Sequence, residues 1–456
     1  MNRLLTSFLP CLALGAGGTA QETANPSPSG LEVVREAGVQ EKTKPVSAPS
    51  AISPLPQLGP RDLTRPPQPR GSGLGTEVLG AAPEPPTTTA APVTTAQGVA
   101  APPAPPLPLH WGSLSFHPHL AYNLLYGTGI LSGPGREEDT FLNTLAPGLT
   151  LKLGARWSLD YTASLRFYSS DQYDDTLDHA VSLSGSVVWD DWLFSLGHAY
   201  RSSSSPLVET AAQTDQDTHN TVLGGTHRIT DKTSLELGLA QALRFTQDYT
   251  DSYTWSTTDW LDYQWRPQFA VAAGLSVGYD MLDPGTDMTS EQILVRVRGQ
   301  TLDKLSYSVA GGVEFRQFLD SDADTKVSPT VDASVSYQLF EPTTISAFFS
   351  HDVGTSYYSN QFTESTSFGA AVQQRFLGKL FLNLSGGYTF QKYSSTLVSD
   401  VELREDDRAY FQAGLSTRFL RRGSASVFYR WSENNSDNDD FAYDSNQIGL
   451  QLAYAW

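Results

Sequence analysis

From residue 113 to the end of the 456-residue chain, apolar and polar side chains alternate. In 157–168, Trp157, Leu159, Tyr161, Ala163, Leu165 and Phe167 oppose Ser158, Asp160, Thr162, Ser164 and Arg166. In 380–390, Leu380, Leu382, Leu384, Tyr388 and Phe390 oppose Phe381, Asn383, Ser385 and Thr389. A period of two marks strands with one apolar and one polar face. The pattern predicts about eighteen strands, at 114–127, 140–153, 157–168, 177–189, 192–202, 218–229, 234–246, 254–265, 268–281, 290–300, 305–318, 327–339, 344–352, 362–375, 379–391, 408–419, 424–431 and 444–456. Most are longer than the ~5–6 residues of an ordinary globular strand and reach the ~9–11 that a tilted strand needs to cross a bilayer. The spans 254–265, where Asp259 breaks the alternation, and 344–352, which is short, fit the pattern least well. After the leader, no apolar run approaches the ~18 residues of a transmembrane helix.

The connections alternate too. Asp190-Asp191, Thr230–Lys232, Arg266-Pro267, Thr301–Lys304, Gly378 and Leu420–Gly423 are tight turns, separated by longer loops such as 203–217, 247–253, 392–407 and 432–443. Short periplasmic turns and long outer loops are the layout of an outer-membrane barrel. An even strand number puts both ends of the barrel on the periplasmic side. Trp157, Trp189, Trp192, Trp265, Phe340, Phe376, Phe419 and Trp456 gather at the short-turn end, and Tyr126, Phe141, Phe167, Tyr200, Phe245, Tyr279, Phe315, Phe390 and Trp431 toward the long-loop end. Two aromatic belts mark two membrane interfaces. A β-sandwich or β-solenoid would also alternate, but it needs an apolar interior, and here the second face is Ser, Thr, Gly, Asn and Arg. The expected fold is all-β: a transmembrane antiparallel up-and-down β-barrel over 111–456.

Composition divides the rest of the chain. Residues 1–20 have a basic start at Arg3, an apolar run from Leu4 to Leu14, and small residues Gly18-Thr19-Ala20 before Gln21, which reads as a signal peptide. Residues 21–110 hold 19 of the 28 prolines, and no Phe, Tyr or Trp lies between Phe8 and Trp111. Such a stretch cannot bury enough surface to offset its chain entropy, so it is expected to be a disordered periplasmic tether. Leu31–Lys44 is its one charged patch with spaced aliphatics, either plain linker or a short helix for a periplasmic partner. The single cysteine, Cys11, lies in the leader, so disulfides, Cys–zinc sites and thiol catalysis are not expected. A net charge of −19 argues against nucleic-acid binding.

The last strand presents Ile448, Leu450, Leu452, Tyr454 and Trp456 on one face, ending on an aromatic residue. This is similar to the C-terminal signal read by the outer-membrane barrel assembly machinery, with Trp in place of the usual Phe. With its leader and tether, the chain resembles the uncharacterised β-barrel porin family of bacterial outer-membrane proteins. The resemblance implies a passive or weakly selective pore for small polar solutes. The alternative it leaves open is an outer-membrane component of polysaccharide or surface-material export, with the tether recruiting a periplasmic partner.

Candidate chemistry lies in the charges. The outer loops hold 25 acidic and four basic residues. Solubility alone explains them; the sharper readings are a cation-collecting mouth, or carboxylates bridged by divalent cations to anionic headgroups of the outer-membrane lipid. On the polar strand face, Arg166, Arg201, Arg244, Arg316 and Arg430 fall near the loop end, and Arg296 and Arg298 near the turn end. They read as pore-lining residues that either brace the wall against Asp160, Asp178, Glu236, Asp280, Glu314 and Asp332 or ring a constriction. Loop 203–217 is the candidate to fold inward, with Glu209, Asp215 and Asp217 facing the arginines. Gly274-Leu275-Ser276-Val277-Gly278 matches a nucleophile elbow but lies mid-strand, Asp320-x-Asp322-x-Asp324 lacks the glycine of a calcium loop, and His117 with His119 lacks a third ligand. No enzyme, metal or cofactor is expected.

Overall fold

The computed structural model describes residues 110–128, 139–301, 304–398, 401–420 and 422–456. The leader, the tether up to residue 109, and Glu137, Glu138 and Asp400 of the outer loops lie outside the described residues.

Eighteen long strands form one sheet: β1 Leu114–Gly127, β2 Thr140–Leu153, β3 Trp157–Tyr168, β4 Thr176–Trp189, β5 Trp192–Leu207, β6 Ala212–Arg228, β7 Thr233–Thr246, β8 Asp251–Arg266, β9 Phe269–Asp283, β10 Met288–Thr301, β11 Leu305–Phe318, β12 Lys326–Phe340, β13 Thr343–Thr355, β14 Gln361–Phe376, β15 Leu380–Ser395, β16 Glu402–Phe419, β17 Gly423–Ser436 and β18 Tyr443–Ala455. A two-residue strand, His110–Trp111, pairs back onto β1. Each strand is antiparallel to its sequence neighbours, and β18 pairs with β1 from Gln447↔Gly127 to Ala455↔His119, which closes the barrel. Every expected strand is present. Asp259 does not interrupt β8, and several strands run on into what reads from sequence as loop: β5 and β6 extend to Leu207 and from Ala212, and β16 begins at Glu402.

Period-two alternation becomes an outer face of Leu, Val, Ile and aromatic residues and an inner face of Ser, Thr, Gly, Gln and Arg. The strands tilt. One row of cross-strand partners starts at Leu114, at the foot of β1, and passes through Leu153, Trp157, Gly185, Leu196, Leu223, Leu239, Thr257, Val277, Glu291 and Phe315 to Val327, at the top of β12. Rows therefore climb by about one residue per strand, the stagger that barrel closure requires.

Two features bend this regular wall. The β2–β3 ladder skips Ala146 and Pro147, where proline has no N–H to donate. The β12–β13 ladder stops at Val331↔His351, so Val327 to Thr330 of β12 pair only with β11. Pro329 sits on that half-paired stretch, a place where a missing donor costs little. Short turns reverse the chain through left-handed residues, among them Gly154 (φ 60°) and Gly378 (φ 70°).

Aromatic rings also lie over inner-wall glycines. A Cβ on Gly449 would sit 2.2 Å from Phe428 Cζ, and one on Gly274 would sit 2.5 Å from Trp260 Cε3, whereas one on Gly197 meets nothing within 4 Å. Gly449→Leu should therefore cost about 1–3 kcal/mol through overpacking and lower the temperature of the folded-to-unfolded shift in heat-modifiable migration. Gly197→Ala should leave that temperature unchanged.

Candidate functional site: the outer mouth and inner wall

The inner-wall arginines are held mainly by carboxylates. Arg166 on β3 meets Asp178 on β4 at 2.9 Å and donates to Ser205 Oγ at 2.7 Å. Arg316 on β11 meets Glu314 at 2.8 Å and Asp280 on β9 at 3.2 Å. Arg296 and Arg298 on β10 reach across the small side chains of β9, Ala270 and Ala272, to Glu236 on β7 and Asp262 on β8. Arg296 bonds each acid at 2.7 Å, Arg298 lies 3.4 Å from Glu236 and pairs closely with Asp262, and the Trp260 ring lies 4.1 Å from the Arg296 guanidinium carbon. Two cations and two anions make this a neutral, largely buried brace. Arg430 on β17 instead donates to the neutral Gln412 at 3.0 and 3.1 Å, and Arg201 faces inward from β5. Asp178, Glu236, Asp280 and Glu314 thus meet arginines, while Asp160 accepts from Thr150 and Thr162.

Above this wall two segments cross the mouth. The first is the tip of the β5–β6 hairpin, 208–211. Its Glu209, 3% exposed, accepts from Tyr393 Oη at 2.6 Å and from Gln391 Nε2 at 3.2 Å, and its carbonyl accepts from Arg404 at 3.4 Å. Arg404 packs between the rings of Tyr393 and Phe441, at 4.0 and 3.8 Å, and pairs with Asp406 at 3.1 Å. Of the three acids expected to fold inward, Glu209 does, and it lies near enough to Arg404 and to Arg244 for their charges to act on one another. Asp215 and Asp217 lie on the outward face of β6, where they accept from Ser204 and Tyr200. The hairpin stays in register with regular alternation to its tip, so every second side chain must face out.

The second segment, 356–360, joins β13 to β14 and is not the loop expected to fold inward. Where β13 leaves β12, it carries this connection across the lumen. Arg244 on β7 donates to Ser356 O at 3.0 Å and lies 3.5 Å from the centre of the Tyr357 ring; Tyr357 Oη donates to Gln216 on β6 at 2.6 Å. Thr250 N donates to Tyr357 O at 3.1 Å, Thr286 Oγ1 to Asn360 Oδ1 at 3.0 Å, and Arg316 to Val353 O at 2.9 Å. At the hinge Glu364 joins Lys326 at 2.8 Å, Ser328 at 3.1 Å and His351 at 3.4 Å. A signal for this loop is present in the sequence: 353–361 is the one long outer connection without an acidic or basic residue, and it carries adjacent tyrosines.

The serine of the elbow-like motif, Ser276, is spent on β8, donating to Thr257 O at 2.8 Å beside Thr258 Oγ1 at 2.8 Å. His119 meets Thr162 at 3.1 Å and His117 meets Ser115 at 3.2 Å. Among the described residues no group of three or more His, Cys, Asp and Glu could hold a metal ion.

Residues 195–455 match the family described as putative beta-barrel porin 2. The chain belongs to this porin family. Among solved structures, the porin is similar to Pseudomonas aeruginosa OccK3 (OpdO), with 14% identity, TM-score 0.42, and 75% of this chain and 95% of that one covered. It is also similar to Acinetobacter baumannii OccAB4, with 11% identity, TM-score 0.44, and 77% and 100% covered. Compared with curated proteins, the porin matches none. It is an outer-membrane barrel whose closed wall surrounds a polar interior.

Glu209 gives the mouth a pH dependence. Burial, opposed by the Arg404 charge and the Tyr393 hydrogen bond, pushes its carboxyl up to about 8. The docked form is the neutral acid, so the stability of docking is lost as pH rises through about 8. Conductance of the porin in planar bilayers should rise from about pH 5 to about 8 and stay level above, and Glu209→Gln should remove that rise.

Proposed function

We propose that this porin is a passive channel for small polar solutes, entered from outside through a mouth narrowed by 208–211 and 356–360. The observation that carries this reading is the crossing of the lumen by 356–360, which ties β13–β14 to Arg244 and Gln216 on a distant part of the wall. A narrow passage is where wall charges act on a solute, because in a wide lumen they are screened within about 8 Å at physiological salt. Arg244 and Arg404 beside Tyr357, Tyr358 and Tyr393 would favour solutes that accept hydrogen bonds or carry negative charge. Arg166, Arg296, Arg298 and Arg316 line the wall as braces, with Arg201 facing inward from β5 and Arg430 held by the neutral Gln412.

In this reading 1–20 directs export, 21–110 is a periplasmic tether outside the pore, and 111–456 is the barrel. The terminal face of Ile448, Leu450, Leu452, Tyr454 and Trp456 serves recognition by the assembly machinery. The porin needs no catalytic group or cofactor for this role.

The test is single-channel conductance. Replacing 356–360 with two glycines should raise conductance severalfold while the barrel stays heat-modifiable. Unchanged conductance in a folded barrel would mean that the passage is set elsewhere. Arg244→Gln should give a smaller rise and move reversal potential toward cations. A variant with the signal joined directly to 111–456 should still insert with wild-type conductance.

A further inference from the structure

We propose that the membrane-facing side of β5–β8 is a docking surface for a second copy of this chain. Elsewhere the middle of the outer wall is apolar, as on β9, where Val271, Ala273, Leu275 and Val277 face out. On β5–β8 it is not. His198 on β5 meets Thr221 on β6 at 2.9 Å, and Thr221 donates to Gln241 on β7 at 3.2 Å, so three adjacent strands carry one outward chain of polar side chains. His219 lies beside it, with ring centres 6.0 Å from His198 and 4.7 Å from Tyr200. On β8, Thr257 and Asp259 also face out, flanked by Trp255 and Leu261 on the same face. Asp259 is an ionisable group in mid-wall, and its recorded partner is the Gly238 N–H at 3.3 Å. An ionisable side chain facing hydrocarbon is expensive, and a protein partner relieves that cost.

The occupant follows from register. Trp260 shares a row with Glu236, Thr226 and Leu193, which puts Asp259 on the row of Phe194. Rows climb by about one residue per strand, so three strands on, Asp259 has risen to about the level of His198, four residues above Phe194. A two-fold axis along the membrane normal between β6 and β7 keeps heights equal and exchanges left for right. It sets His198 of each copy against Asp259 of the other, a self-complementary interface. Leu223 and Leu239, partners across β6 and β7 and both outward, lie at the axis. Because Thr221 gives its hydroxyl proton to Gln241, His198 donates its Nδ1–H to Thr221, and the doubly protonated ring gives its Nε2–H to Asp259 of the other copy, an ion pair made twice over.

Cysteine cross-linking in native outer membranes tests this, because the chain has no cysteine beyond Cys11 of the leader. Oxidation of Leu239→Cys should give a band at twice the mass of the chain, while Leu384→Cys, outward on β15, should give none. Leu223→Cys should behave like Leu239→Cys and serves if that variant fails to fold. Adding His198→Asp or Asp259→His alone should cut the cross-link at least fivefold, with heat-modifiable migration unchanged. The exchange His198→Asp with Asp259→His should restore it. Absence of the doubled band in folded Leu239→Cys and Leu223→Cys barrels would overturn the proposal. So would an equal band from Leu384→Cys, a cross-linked product of any other mass, or failure of the exchange to rescue.

Discussion

In a bilayer, each backbone N–H and C=O must find its partner within the protein, and a sheet can do so only by closing on itself. The pairing of β18 with β1 is therefore the condition for the rest of the structure. Closure at eighteen strands forces the tilt that makes partner rows climb. It also leaves an interior too wide for side chains to fill unaided. The chain meets this with polar groups below and crossing segments above. Ion pairs such as Arg296–Asp262 and Arg166–Asp178 take up buried charge along the wall.

The departure of β13 from β12 shows how a closed wall supplies a crossing element without an inserted domain. Ladder bonds are given up at the outer end, on a stretch that holds Pro329, and side chains of Lys326, Ser328 and His351 gather on Glu364 instead. The freed segment finds new backbone partners in Thr250 and Thr396.

The strands were legible because alternation is a local signal that the bilayer enforces on every turn of the wall. Even β8, with Asp259 against the pattern, keeps its register: the β7–β8 ladder skips Thr258 and Asp259, where the Asp259 carboxylate takes the Gly238 N–H, while the pairing with β9 runs on unbroken there. The mouth was only partly legible. Glu209 turns inward at the tip of a long acidic stretch, but Asp215 and Asp217 belong to a strand that runs on past the expected span, where polar composition no longer distinguishes strand from loop. Segment 356–360 was missed because its inward course depends on contacts with Gln216, Arg244 and Thr286, more than seventy residues away in sequence. Which acid meets which arginine depends on the stagger between strands, which alternation alone does not give.

The neutrality of the β7–β10 brace has an electrical consequence. Two positive and two negative charges within a few ångströms present a field that falls off far more steeply than that of a single ion. A solute passing along the axis is close to blind to Arg296 and Arg298, however prominent they are in the sequence. The acidic rim, by contrast, keeps a net negative charge even after Lys392 meets Glu402 and Glu405 and Arg404 meets Asp406, and the ion cloud that gathers over it extends outward by a Debye length. The molecule is thus electrically loud on its approach and quiet beside this brace, so that an ion senses the rim from farther away than it senses the β7–β10 wall.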